Sequence, residues 1–206
     1  MRTFPFLLGS ALVLLLASCS DTTTVTAKKE PEKPPEPVTG QSAAFKMYQV
    51  ARSWAPDVQL LTVNSIALPE VANVPRGKAP AWQATFTSAS RSQKRSYTYS
   101  IVEAQGNLHK GVFAGLEEAW SGPQGQTSPF LMAALKVDTD AAYETALKEG
   151  ADYDKKNPDK PITFLLEKIT KYPDPVWRVI WGESVGTSNF SVYVDASTGQ
   201  FQEKLH

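Results

Sequence analysis

Two rhythms of apolar and polar positions run along this chain, and they recur in a fixed order. Ala44, Met47, Tyr48, Ala51 and Ala55 fall at three-and-four spacing, and so do Tyr143, Ala146, Leu147 and Ala151. That spacing puts each set on one face of an amphipathic helix. Ser42 is expected to cap the first helix and Asp138 or Asp140 the second. A short oxygen-bearing side chain at that point accepts from a free N–H of the first turn. Asn157-Pro158 ends the second helix, because proline cannot continue it.

Each helix leads into strands. The stretches Val58 to Val63 and Ile162 to Glu167 come first, and a tryptophan-bearing strand follows each. Trp82, Ala84 and Phe86 alternate with Gln83, Thr85 and Thr87, while Trp177, Val179 and Trp181 alternate with Arg178 and Ile180. Alternation marks antiparallel strands with one buried face. The last hairpin also recurs, as Tyr99 to Leu108 and as Ser191 to Phe201. In both, an acid (Glu103 or Asp195) ends a strand and a glycine (Gly106 or Gly199) closes the turn. The pattern predicts an α+β protein of two tandem repeats. Each packs one helix on an antiparallel sheet of about four strands, over residues 41–114 and 138–206, with 115–137 as a connecting segment. The pattern leaves open whether the two sheets join.

The N-terminus follows a different logic. Met1-Arg2-Thr3 precedes an apolar run from Phe4 to Ala17, and no further charge occurs before Asp21. The run is short of the roughly 20 residues that span a bilayer, and it has the anatomy of a secretory signal over residues 1–18. It ends in Leu16-Ala17-Ser18-Cys19, which resembles the lipobox of bacterial lipoproteins. The resemblance implies cleavage before Cys19, diacylglyceryl transfer to its sulfur, and a membrane contact made through lipid. Ser20 stands where lipoproteins retained in the inner membrane of Gram-negative cells carry Asp. The resemblance therefore implies the periplasmic face of the outer membrane if the host is Gram-negative, and the cell envelope in any case. Residues 19–40 read as a tether. Pro31, Pro34, Pro35 and Pro37 favour an extended polyproline conformation. At about 3.1 Å per residue it reaches up to roughly 60 Å.

Trp177-Arg178-Val179, followed by Tyr193-Val194-Asp195-Ala196-Ser197-Thr198-Gly199-Gln200, resembles a PepSY-type domain. Asp138 to Tyr153 resembles that family's helix, so the likeness covers about Asp138 to Leu205. Residues 42–113 resemble a degenerate second copy. There Glu103 replaces Asp, the turn is one residue shorter, and a longer loop runs from Leu68 to Pro80. The resemblance implies the fold and a role as an inhibitory or binding module, and it implies no catalytic residues.

The chain has 206 residues, with 21 basic and 21 acidic. Neutrality argues against broad electrostatic binding to nucleic acid, and secretion disfavours sequence-specific binding. A single cysteine excludes a disulfide framework. His109 and the terminal His206 are the only imidazoles, and no paired ligand motif includes them. Asp152-Tyr153-Asp154 opens like a calcium loop, but no turn glycine follows. No metal or cofactor is expected. His109 is the one candidate general base, on an expected strand, and Glu117-Glu118 fall on an expected loop. Neither suggests a catalytic constellation, so no enzyme is expected.

Binding features are richer. The expected hairpin Ser88 to Ser96 holds Arg91, Lys94 and Arg95 and no acid. Trp120 stands in a Gly/Pro-rich stretch between the halves, and tryptophan is enriched at interface hot spots. These four residues are the candidate partner-binding set. The expected function is a non-catalytic, lipid-anchored envelope module that binds a protein or peptide, with restraint of a peptidase as one form. The alternatives are a carrier or sensor of an apolar small molecule in a sheet–helix cavity and an envelope enzyme.

Overall fold

The computed structural model describes residues 35–206 apart from Asn107, Gln124 and Gln126. The leader, Cys19 and the tether as far as Pro34 lie outside the described residues. In chain order the elements are β1 (Val38–Thr39), α1 (Gly40–Trp54), β2 (Gln59–Ile66), β3 (Lys78–Ala79), β4 (Ala81–Ser88), β5 (Gln93–Ser100) and β6 (Gly111–Ala119). Then follow α2 (Thr139–Lys156), β7 (Ile162–Glu167), β8 (Val176–Trp181), β9 (Ser191–Asp195) and β10 (Phe201–Leu205). The architecture is α+β. Eight strands form one antiparallel sheet in the order β10-β9-β8-β7-β2-β4-β5-β6, and β1 pairs with β3 beside it.

The strands therefore join one sheet. Four strands of this sheet follow each helix and pair in chain order, and the two series meet at their first members, β2 and β7. Val63 and Leu166 face each other there, both fully buried. Both helices lie against the face that carries the tryptophans. Tyr48 of α1 meets Phe86, and Tyr143 of α2 meets Trp181. Trp82 and Trp177 touch edge to face at 6.4 Å, and the core is continuous from one helix to the other. Small residues let the helices come close. A Cβ at Gly40 would sit 2.7 Å from the Trp177 ring, and one at Gly150 would sit 2.9 Å from the Phe190 ring.

The two tryptophans are tied alike. Trp82 Nε1 donates to the Val38 carbonyl at 3.1 Å, and Trp177 Nε1 donates to the Val137 carbonyl at 2.8 Å. Each acceptor lies two residues before a helix. Buried indole N–H groups seek such partners, and these two bonds fix where each helix enters.

The helix starts differ from the sequence expectation. Asp138 caps α2 and accepts from Thr139 N at 2.7 Å. Ser42 does not cap α1: the helix begins at Gly40, and its N-cap, Thr39, makes no side-chain cap bond. Instead, the Asp138 carboxylate also accepts from Gln41 N at 2.9 Å, and the Thr139 hydroxyl accepts from Gly40 N at 2.9 Å. One carboxylate thus serves free N–H groups at two helix N-termini, where negative charge is favoured.

Candidate functional site

Strand β6 forms one edge of the sheet and runs through residues expected to be a loop. Glu117 and Glu118 lie on it, opposite the cations of β5. Lys94 Nζ is 3.2 Å from Glu118, Arg95 is 3.6 Å from Glu117, and Arg91 is 3.4 Å from Glu117. The hairpin that looks purely cationic in sequence is therefore paired with acids across the ladder. Such pairs stabilise by only about 0–1 kcal/mol each at a surface, yet the two acids offset most of the positive charge of the three cations.

The four candidate residues gather at this end of the sheet and then divide. Arg91 and Arg95 turn to the helix side. Arg91 lies over the Trp54 ring at 5.5 Å, and Arg95 lies over the Tyr97 ring at 5.6 Å. Arg95 Nε also donates to the Gly115 carbonyl at 2.8 Å. Trp120 prolongs the β5–β6 ladder through its N–H to the Ser92 carbonyl, at 2.9 Å. With Lys94, Leu61, Thr62, Pro123 and Thr127, it lines a small cleft of about 280 Å³.

Sequence reasoning missed the outer edge of β6. Its second strand partner would lie beyond the sheet, and its side chains are prominent: Phe113 is 41 % exposed and Leu116 is 86 % exposed. The ladder with β5 breaks between Arg95 and Tyr97. The bulge is on β6, at Gly115 and Leu116, and it throws Leu116 outward. The signal available in sequence was the run Gly111-Val112-Phe113-Ala114, but Gly115 broke it.

His109 is not on a strand. It lies in the loop between β5 and β6, with its Nδ1 2.6 Å from Glu103 and its ring 4.7 Å from Phe113. Among the described residues, its ring bond goes to a carboxylate and not to a hydroxyl. The Glu103 carboxyl is held below the usual range, first by the Lys110 N–H and then by His109. Asp195 has a turn-forming task. It accepts from Ser197 N and Thr198 N, while Gly199, at φ 78°, donates to its carbonyl. Asp152 and Asp154 lie within α2, and Asp154 accepts from Trp181 Nε1 at 2.8 Å. Among the described residues, no three His, Cys, Asp or Glu side chains are grouped to hold a metal ion. No described helix is long and apolar enough to cross a membrane.

The space between helices and sheet is filled by Trp82, Trp177, Trp181, Phe86, Phe164 and Met47, all fully buried.

No protein-family model matches the chain, and no curated protein matches it significantly. The PepSY resemblance therefore stands on the residues quoted for it. Among solved structures, the chain is similar to a candidate lipoprotein from Clostridium difficile 630. The identity is 9 %, the match covers 84 % of this chain and 95 % of that one, and the TM-score is 0.47. A likeness that loose transfers nothing to this chain.

Proposed function

We propose that this chain is a lipid-anchored envelope protein whose folded domain binds an extended segment of a protein or peptide along β6. The anchor rests on Leu16-Ala17-Ser18-Cys19 behind a short apolar run, and the Pro-rich tether gives the domain its reach. The observation that carries the binding reading is the outer edge of β6, which pairs with no other strand among the described residues. An edge strand presents unpaired N–H and C=O groups, and an incoming strand adds to them while alternate side chains give selectivity. Phe113 and Leu116 supply exposed apolar contact there. The bulge and the Arg95 bond to Gly115 limit clean pairing to the stretch before them, Gly111 to Ala114. A segment held this way would be occluded, and a peptidase restrained by occlusion is the partner class that the PepSY resemblance suggests.

The same reading treats the two halves as copies of one unit. Its support is the shared order of helix and four strands, together with the matched bonds Trp82 to Val38 and Trp177 to Val137.

Photo-cross-linking in the native host tests the binding reading. A photoreactive residue replaces Phe113 or Leu116 in one set of strains and Leu205, on the opposite edge strand, in another. A discrete adduct from positions 113 and 116, with none from 205, is expected. No adduct at β6, or equal adducts at both edges, would contradict strand addition.

A further inference from the structure

The connection from β2 to β4 occupies residues 67–80, whereas residues 168–175 suffice between β7 and β8. Connections this long in a small domain generally carry a function. This one is pinned at its far end. Strand β3 pairs with β1, Val38 opposite Ala79 and Thr39 opposite Lys78. The Thr139 hydroxyl donates to the Gly77 carbonyl. Gly77 sits at φ 81°, and a Cβ there would come within 2.5 Å of the Asp140 Cα, so the loop lies hard against the first turn of α2.

Between that pin and the end of β2, the loop arches over the 158–161 turn and leaves a cleft of about 560 Å³. This lies within the ordinary range of small-molecule sites, roughly 300–1,000 Å³. Ile66, Leu68 and Val71 give it an apolar wall, and Arg76, Lys78 and Lys160 give it cations. Asp159 is the one acid in its lining. Among the described residues, no carboxylate lies within ion-pair distance of the three cations. Arg76 lies over the Tyr143 ring at 5.9 Å, and Lys160 donates to the Tyr153 hydroxyl at 2.9 Å. Neither contact neutralises a charge. The contrast with Arg91 and Arg95, which share Glu117, and with Lys94, which meets Glu118, is direct.

We propose that this cleft binds a small organic anion, a carboxylate carried on a short apolar body. The Arg76 fork suits a carboxylate, Lys78 and Lys160 add to the field, and the apolar body lies on Leu68 and Val71. The cleft sits at the β2–β7 seam and is separated from the β6 edge by β4 and β5. Its fate is thus independent of the strand-addition reading.

The test is saturation-transfer difference NMR on the intact chain in non-ionic detergent. The probes are hexanoate and, as a control of equal length, hexylamine. Hexanoate is expected to bind with a Kd of about 1 mM, the range open to so small a ligand, and hexylamine to give no signal. In R76Q/K78Q, with an unchanged melting temperature, the Kd for hexanoate should rise about tenfold or more. If that variant fails to fold, Arg76→Glu, a single change at an exposed position, serves instead and should abolish the hexanoate signal. A hexanoate signal that is absent, matched by hexylamine, or unaltered in a folded variant would overturn the proposal.

Discussion

The two helices begin alike and are capped differently. Helix α2 opens on Asp138, a local cap that its own sequence announces. Helix α1 opens on Thr39, which forms no side-chain cap, and borrows the Asp138 carboxylate and the Thr139 hydroxyl. Beyond the helix starts, Trp82 and Trp177 perform matching tasks, each holding the backbone two residues ahead of a helix. The difference teaches that the halves are not energetically equal. The second carries its own start signal, and the first depends on the second for part of its own. The domain should therefore unfold as a unit, because losing α2 uncaps α1.

The largest effect expected is the loss of either tryptophan. Trp82→Ala and Trp177→Ala should each lower stability by about 3–5 kcal/mol, as fully buried aromatics do. Chemical denaturation read by circular dichroism would show it, and a tolerated Trp82→Ala beside a ruinous Trp177→Ala would break the equivalence. Next comes Asp138→Ala. Losing caps on two helices should remove roughly 2–3 kcal/mol, about twice the usual single cap. Adding Thr39→Asp, which offers α1 a cap of its own, should restore about 1 kcal/mol. No recovery in the double variant would mean that the Gln41 bond contributes nothing. Gly40→Ala follows, at about 1–3 kcal/mol from overpacking against both indole rings.

The smallest effect is confined to acid. The Asp57 carboxyl is lowered to about 2, chiefly by the Ser88 hydroxyl and then by the Ser90 N–H. A group held below its unfolded value, 3.8 here, stabilises the fold above that value. The contribution fades as pH falls toward 2. Asp57→Asn should flatten the fall in melting temperature between about pH 4 and pH 2. An unchanged acid limb would contradict this.

Much of this fold was legible because its signals are local. The stretch Ile162 to Glu167 matches β7 end for end, and Asp138 and Asn157 bound α2 as expected. The start of α1 was not legible, because its cap lies 97 residues away. Glycines misled the reading of β6. Gly115 looks like a breaker, but it sits inside a strand where a Cβ would come 3.0 Å from the Ser96 carbonyl oxygen. Gly106 and Gly111, at φ 75° and 89°, bound a real loop, so His109 is on that loop rather than on a strand. At the candidate site, three cations were visible in one hairpin. Their pairing with Glu117 and Glu118 depended on β6 being a strand at all. The long loop at Leu68 to Pro80 was equally visible, while the placing of Arg76 and Lys160 on one cleft was not, because it needs β2 beside β7.

The functional account depends first on Cys19. Intact mass spectrometry of the chain from the membrane fraction of its native host tests it most directly. The account predicts a chain that begins at Cys19 and carries a diacylglyceryl mass on it, and an unprocessed precursor for Cys19→Ser. A chain that begins elsewhere, or that begins at Cys19 with a free thiol, would contradict a lipid-anchored protein.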